Sequence, residues 1–224
     1  MYFILRSGLS FCISVDRVIL LDHAIGRYFA LPPHFHKSFS RWATGAQPAD
    51  DELDWLGKLV NEGILIATSQ RPHPGVTKSA SLPPPDMKLD ARHCHPPLTS
   101  IVAAILSRLL WLWRAKHWPF ARMIGRLGEL ADHADRGPSR RDNGKLAHIT
   151  RSFEYADLIV GSHDRCLSRS LALAAACRKR GLPTTLVIGV QADPFAAHCW
   201  VQDGSTVLNE KSDRAKMFLP IMVA

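Results

Sequence analysis

Two segments set the architecture of the second half of the chain: RCLSRSLALAAACRKRGLPTTLVIGV (165–190) and FAAHCWVQDGSTVLNE (195–210). The first predicts a helix that begins at Cys166, because alanine and leucine favour helices and basic residues suit the carboxyl end of a helix. A β-rich run, TTLVIGV, follows it. The second segment is β-rich on both sides of a turn at Asp203-Gly204, which is typical of an antiparallel hairpin. A helix followed by antiparallel strands predicts an α+β domain.

Further helices are expected to precede these segments. Residues 98–116 are apolar on most faces, which predicts a core helix. Two more helices are expected over 119–133 and 146–160. We therefore predict a domain over 98–224, with helices first and an antiparallel sheet after them.

Residues 1–68 predict a smaller domain, a three-stranded sheet followed by two or three helices, in an order similar to that of a winged helix. The strands are expected at 10–15, 18–21 and 27–31, the first of them with Val15 on its apolar face. Residues 69–97 are rich in proline, histidine and serine and are predicted to be a linker between the two domains.

The composition predicts a folded protein of the cytoplasm. Of the 224 residues, 46% are apolar and 21% are charged, which is enough apolar material for a sizeable core. The first residues do not resemble a secretory signal, because Arg6, Asp16 and Arg17 interrupt the apolar run. The most apolar later stretch, Leu98 to Trp113, is shorter than the ~20 residues that span a bilayer. We therefore expect a cytoplasmic protein without membrane insertion.

The net charge of +8 raises the question of a nucleic-acid partner. The charge is uneven, since residues 1–70 carry a net charge of −1 and the rest of the chain carries +9. A DNA-reading domain needs lysine and arginine against phosphate. The near-neutral first domain therefore argues against a non-enzymatic DNA-binding regulator, which is the less favoured alternative, and we expect no nucleic-acid partner.

The cysteines leave room for one reactive thiol. They are odd in number and contain no CxxC pair, which argues against a disulfide framework and a structural zinc site. Adjacent residues in His93-Cys94-His95 point apart on an extended chain, so no metal site is expected there either. The five are Cys12, Cys94, Cys166, Cys177 and Cys199.

Cys166 and His198 are the candidate nucleophile and base. A thiol at a helix start has a lowered pKa, because unpaired N–H groups give that end a partial positive charge, and the same N–H groups stabilise an oxyanion. A neutral imidazole on the following sheet can take the thiol proton and return it to a leaving amine. With a three-residue hairpin turn Glu210 faces His198 and orients its ring, whereas Asn209 is the candidate with a two-residue turn.

These residues resemble the lasso-peptide leader peptidases, a branch of the transglutaminase-like fold, over about 146–212. In that family the triad is a cysteine at a helix start, a histidine in an H-x-W-V strand and an acidic residue shortly after. The resemblance assigns these roles to Cys166, His198 and Glu210, although the family usually has aspartate in the third place. It implies a transglutaminase-like, papain-like cysteine protease that uses no metal or organic cofactor.

Residues 1–68 resemble the leader-recognition domain of peptide-modifying systems, similar to the small (PqqD-like) chaperone of pyrroloquinoline quinone biosynthesis. In that family the leader of a precursor peptide adds as a strand to the sheet edge, beside a helix. The last strand is the expected edge here. Its candidate leader contacts are Arg27, Tyr28, Phe29 and Leu31.

Together the two resemblances imply a fused enzyme that binds the leader region of a ribosomally made precursor peptide and cleaves leader from core. They also imply that the freed core passes to an asparagine-synthetase-like, ATP-dependent lasso cyclase. A transglutaminase-like acyltransferase or ligase acting on a peptide is the alternative, because the thioester intermediate is common to both reactions.

Overall fold

The structure, a computed structural model, describes residues 2–46, 49–70, 82–134, 142–161 and 165–224. The chain is an α+β protein, which confirms the predicted fold class. Antiparallel strands and helices come first, and a bundle of helices followed by a larger sheet comes after them.

The first part contains five strands and three short helical segments among the described residues. The strands are β1 (Tyr2–Leu5), β2 (Leu9–Ile13), β3 (Val18–Asp22), β4 (Arg27–Ala30) and β5 (Leu65–Thr68). The helices are a 3-10 turn (Pro33–Phe35), α1 (His36–Ala43) and α2 (Asp50–Asn61).

The predicted three-stranded sheet is present, with the order β2-β3-β4 and antiparallel pairing throughout. A second small sheet, in which β1 pairs with β5, was not predicted. Its two strands lie about 60 residues apart, so no short turn in the sequence indicates that they pair. The placement of Val15 on the apolar face was wrong. Strand β2 ends at Ile13, and Val15 is 98% exposed in the turn that follows.

Strand β3 is buried on both faces, which places the small sheet between two cores. Val18 and Leu20 belong to the core of the first part, together with the side chains of α1 and α2. Ile19 and Leu21 belong to the larger core of the second part. The three-stranded sheet therefore packs directly against the second part of the chain.

The turn between β3 and β4 is fixed by a close contact with the second part. Gly26 has a φ of +67°, and a Cβ added to it would lie 2.9 Å from Cβ of Phe120. Glycine is the residue that both the positive φ and the close approach require. The start of β4 is thus held against the helix that begins at Phe120.

The second part consists of helices followed by strands, as predicted. The helices are α3 (Leu98–His117), α4 (Phe120–Ala134), α5 (Asn143–Val160), α6 (Cys166–Arg178) and the short α7 (Ser212–Lys216). The strands are β6 (Met87–Lys88), β7 (Thr185–Gln191), β8 (Ala196–Asp203), β9 (Thr206–Val207) and β10 (Leu219–Val223).

These strands form one sheet in the order β10-β7-β8-β9-β6. Its members are antiparallel except for β6, which pairs with β9 in parallel through Met87 opposite Thr206. Strand β6 lies in the segment 69–97 that was predicted to be a linker, so its second half contributes to the sheet. Residues 71–81 of that segment lie outside the described residues, and the domain boundaries stay a prediction.

Helix α6 is the central element of the second part. Its residues from Ser168 to Arg178 are nearly all buried, and it packs between the other helices and strand β8. At its carboxyl end the buried Arg178 donates hydrogen bonds to the main-chain oxygens of Leu127, Thr184 and Ala224, at 2.7–3.1 Å. These bonds fix the helix against α4 and the edge of the sheet.

The prediction that 98–116 forms a core helix was wrong for most of α3. The helix buries Ala104, Arg108 and Trp111, whereas much of its apolar surface faces solvent. The sequence pattern could not show this, because a helix that is apolar on most faces has no distinct buried side. The exposed apolar residues of α3 are Leu98, Val102, Leu106, Leu109, Leu110 and Trp113.

Helix α3 is long and apolar enough, by length and composition, to cross a membrane. It nevertheless packs against α5 and α6, and Arg108 in its middle forms an ion pair with Asp157 of α5. A mostly buried core helix passes the same test of length and composition, but only 17% of the apolar window of α3 is buried. The cytoplasmic location stays a prediction.

Candidate active site

Cys166 is the first residue of α6 and is partly buried there. Its side chain is hydrogen-bonded to the ring of His198, and its sulfur accepts from the main-chain N–H groups of Cys199 and Leu167. Burial opposes ionisation of the thiol, but the hydrogen bond to His198 and the charge of that ring outweigh it. The pKa of Cys166 is therefore lowered below its ordinary value.

His198 lies on β8, directly opposite Gly189 of β7, and is almost completely buried. Its Nε2 donates to Oε2 of Glu210 at 2.7 Å, which leaves Nδ1 for the thiol of Cys166. Burial disfavours the imidazolium, yet the hydrogen bonds and charges of Cys166 and Glu210 prevail and raise the pKa of His198. A lowered thiol pKa beside a raised imidazole pKa favours the thiolate–imidazolium pair.

Glu210 is held behind the imidazole by contacts on both of its oxygens. Oε1 accepts from the main-chain N–H of Lys211 at 2.9 Å, and Arg214 on α7 lies 3.8 Å from Oε2. Burial favours the neutral acid, but the hydrogen bonds from His198 and Lys211 lower the pKa of Glu210 to about 2. The carboxylate is therefore charged at neutral pH and can orient and stabilise an imidazolium.

The hairpin register that was predicted to bring Glu210 to His198 was wrong. Strands β8 and β9 pair Asp203 with Thr206, so the turn contains two residues and not three. After β9 the N–H of Leu208 still donates to the main-chain oxygen of Val201 at 2.9 Å, and the chain then bends over 208–210, from where Glu210 reaches His198.

Asn209, the alternative partner of His198, has a different position. Its side-chain oxygen accepts from Val201 N–H at 2.9 Å, and its side-chain nitrogen donates to Ser170 Oγ at 2.9 Å. Ser170 in turn donates to the main-chain oxygen of Cys199 at 2.9 Å. Asn209 therefore ties the sheet to α6 and does not face the imidazole.

Two aromatic rings pack against the imidazole of His198. Trp200 is fully buried and stacks at 6.3 Å between ring centroids, and Phe218 lies at 5.2 Å. A Cβ at Gly189 would lie 2.8 Å from Phe218 and 2.9 Å from Trp200, so this strand position has room only for glycine. Sequence reasoning missed Phe218 and Gly189. A glycine inside an otherwise β-branched strand was the available signal for a close approach.

Two arginines on different helices bind one carboxylate near the start of α6. Asp157 of α5 accepts from Nε of Arg108 at 2.9 Å and from Nε of Arg169 at 2.6 Å. Arg108 also donates to the main-chain oxygen of Gly161 at 2.8 Å, and Arg165 donates to that of Val160 at 2.9 Å. These bonds fix the two helix ends that flank residues 162–164 and so position Cys166. Arg108 stands within an otherwise apolar helix, and this pattern could have indicated a buried ion pair from the sequence.

Cys94 is partly exposed like Cys166, whereas Cys12, Cys177 and Cys199 are buried. Burial raises the pKa of Cys12 to about 11 and that of Cys177 to about 12, and it raises that of Cys199 further. Such thiols are inert at neutral pH. Within the described ranges no group of three or more histidine, cysteine, aspartate or glutamate side chains could hold a metal ion.

The predicted leader contacts on β4 differ in exposure. Arg27 is exposed and Phe29 is 37% exposed, whereas Tyr28 is partly buried against the core that also includes Cys166. Leu31 is buried in the core of the first part, so its side chain is not accessible to a peptide.

In this arrangement a cysteine at a helix start is hydrogen-bonded to a histidine on the adjoining antiparallel sheet, and a carboxylate lies behind the histidine. Thiol enzymes that form acyl intermediates have the same arrangement. Residues 106–223 match the transglutaminase-like superfamily. The chain belongs to that superfamily.

One curated protein is similar over a short stretch. The Microcin J25-processing protein McjB of Escherichia coli is 42% identical over 45 residues, which is 20% of this chain. The chain thus covers 22% of the length of that relative. No solved structure matches the chain.

Proposed function

We propose that the protein is a cysteine peptidase that cleaves the leader from the core of a ribosomally made precursor peptide during lasso-peptide maturation. The observation that carries the proposal is the contact series Cys166–His198–Glu210 at the start of α6. The similarity to a protein described as processing microcin J25 supports a peptide as the substrate. In this proposal Cys166, His198 and Glu210 are the catalytic residues.

The reaction begins with attack of the Cys166 thiolate on the scissile carbonyl. The carbonyl carbon forms a bond to sulfur, and the resulting oxyanion is stabilised by N–H groups at the start of α6. The imidazolium of His198 gives its proton to the leaving amine of the core, and the leader remains attached to Cys166 as a thioester. His198 then takes a proton from water, which hydrolyses the thioester and restores the thiol.

The free edge of β4 is the proposed binding site for the leader. Within the described ranges, β4 has a strand neighbour on one side, β3, so its other edge can pair with an extended peptide. Arg27, Phe29 and Ala30 are the exposed residues of β4, and the two larger side chains, Arg27 and Phe29, are accessible to such a peptide. Main-chain hydrogen bonds would supply affinity, and these side chains would supply selectivity.

The packing of the sheet against the second part supports cooperation between binding and cleavage. A leader bound on β4 makes attack at the core junction nearly intramolecular, with an effective concentration on the order of mM. We therefore expect peptides without a leader to be cleaved far more slowly. The freed core then passes to an asparagine-synthetase-like, ATP-dependent lasso cyclase, as the family resemblance implies.

The test is to incubate the protein with the small precursor peptide encoded beside its gene and to weigh the products. Hydrolysis predicts two fragments whose masses add up to the mass of the precursor plus one water. Transfer to an amine, the acyltransferase alternative, predicts a leader–amine adduct instead. The variant Cys166→Ala should abolish both reactions, and Cys94→Ala, which removes another partly exposed thiol, should leave the rate unchanged. Cleavage that survives Cys166→Ala would rule out the proposed function.

A further inference from the structure

A small cavity lies between the first and second parts of the chain. It has a volume of about 210 Å³ and is formed by β4 and by the loop that joins β7 to β8. Its walls are mainly apolar, and Arg17 is the charged member of the lining. The apolar lining consists of Ile19, Tyr28, Phe29, Ala30, Ala192 and Phe195.

The cavity is on the opposite face of the three-stranded sheet from α1 and α2. Tyr28 and Ala30 pair with Leu21 and Ile19 of β3, and these two β3 residues face the larger core. The cavity is therefore separate from any leader groove beside the helices of the first part. It faces the second part of the chain, in which the catalytic residues lie.

Tyr28 and Phe195 connect this cavity to the catalytic residues. Their rings are 5.7 Å apart, and Phe195 immediately precedes β8, the strand that carries His198. Tyr28 and Cys166 are both partly buried and pack against the same core. Burial, followed by the nearby thiols of Cys199 and Cys166, raises the pKa of Tyr28, so its hydroxyl stays protonated and can donate.

The size and place of the cavity limit what can occupy it. Sites for drug-sized molecules have volumes of about 300–1,000 Å³, so this cavity suits one side chain and not a whole small molecule. Tyr28 lines the cavity and interacts electrostatically with Cys166, so we expect a peptide that is paired with the edge of β4 and continues to Cys166 to pass the cavity. Successive side chains of an extended peptide point to opposite sides, so one of them is directed into the cavity.

We propose that this cavity is the subsite for one apolar side chain of the precursor peptide, in the segment between the β4-bound leader and the scissile bond. The proposal rests on the proposed function and adds a determinant of the cleavage site to it. The occupant is part of the substrate, because Tyr28, Phe29 and Ala30 of β4 line the cavity and the hydroxyl of Tyr28 is close enough to Cys166 to interact with it electrostatically.

The test uses a set of precursor peptides that carry Gly, Leu, Phe or Asp at each position near the cleavage site. For the wild type, one position should favour Leu or Phe over Asp by about tenfold or more in kcat/KM. Ala192→Phe, which fills the cavity, should lower kcat/KM for Leu and Phe at that position about tenfold and leave the Gly peptide less affected. Phe195→Ala, which opens the cavity, should weaken the same preference without moving it to another position.

Two controls separate this inference from the proposed function and from misfolding. Leu106→Phe adds the same ring to an exposed site on α3 and should leave the preference unchanged. The affinity for an isolated leader peptide, measured by fluorescence anisotropy, should change less than twofold in all variants. The subsite is overturned if the wild type cleaves the precursor peptides but shows the same side-chain preferences in kcat/KM as Ala192→Phe and Phe195→Ala. A wild type that cleaves no precursor overturns the function itself.

Discussion

Glu210 Oε2 lies 2.7 Å from Nε2 of His198, although the two residues are not partners in the hairpin that joins them. The carboxylate reaches the imidazole because the chain bends after β9, and Lys211 N–H and Arg214 hold it there. The contact places a charged group behind a buried ring, where it raises the pKa of His198 together with Cys166.

Replacing Glu210 should destabilise the protonated form of His198 while leaving the imidazole in place. In Glu210→Gln the ring loses its charged partner, so the pKa of His198 falls and kcat/KM should drop about 100-fold or more. Glu210→Asp is the matched control, since it keeps the charge and should recover part of the activity. The ratio of the two rates, measured on the precursor peptide, checks the role. Equal activity of Glu210→Gln and wild type would show that the carboxylate plays no part in the reaction.

The same carboxylate predicts a dependence of stability on acid. The pKa of Glu210 is about 2 in the folded protein and 4.5 ordinarily, so folding is stabilised by its ionised form above pH 4.5. That contribution is lost as the pH falls from 4.5 towards 2. The free energy of unfolding in urea should therefore fall more steeply over this range in the wild type than in Glu210→Gln. Parallel curves for the two proteins would contradict the assignment.

The reactivity of Cys166 should depend on the imidazole of His198. In the wild type the lowered thiol pKa keeps alkylation by iodoacetamide fast at pH values below the ordinary thiol range. In His198→Ala the pKa of Cys166 is still raised by burial but is no longer lowered by the imidazole, so the midpoint of the pH–rate curve should move upward. Labelling in the Cys94→Ala background restricts the signal to Cys166, since the remaining thiols are buried. An unchanged midpoint would mean that the helix start alone sets the pKa.

Adding one methyl group at Gly189 should disturb the wall behind His198. In Gly189→Ala the new Cβ meets Phe218 at 2.8 Å and Trp200 at 2.9 Å, and such overpacking costs about 1–3 kcal/mol of stability. The displaced rings should also lower kcat. Gly125→Ala on α4 is the matched control, because nothing lies within 4 Å of its Cβ, and it should be neutral or stabilise by up to about 1 kcal/mol. Urea unfolding and peptide cleavage measure the two effects.

Neutralising Asp157 should leave two arginines without their shared carboxylate. Arg108 is fully buried, and removing one partner of a buried ion pair costs about 3–5 kcal/mol. Asp157→Asn should therefore lower the free energy of unfolding by about that amount and reduce cleavage, because the start of α6 loses its support. Asp90→Asn removes an exposed ion pair with Arg92 and should leave both measurements unchanged.

The local parts of this fold could be predicted, whereas the long-range parts could not. Helix α6 and strand β7 follow from helix-forming residues and a β-rich run in short segments, and the pairing of a helix-start cysteine with a strand histidine follows from them. The register between β8 and β9 could not be predicted, because Asp203-Gly204-Ser205 suits more than one turn. The observed turn at Gly204-Ser205 gives neither the register with Glu210 opposite His198 nor the one with Asn209 there. The contact of Gly189 with Phe218 depends on the position of a strand about 30 residues away, which no local pattern contains.

The packing of Gly26 on Phe120 and of Tyr28 on Phe195 holds strand β4 at a set position relative to Cys166. If the leader binds β4, the number of peptide residues that can bridge from there to the sulfur is fixed by the protein and not by the peptide. Such an enzyme measures length as well as sequence. Two residues inserted before the cleavage site would shift the cut towards the leader by two residues, whatever amino acids then occupy the old junction.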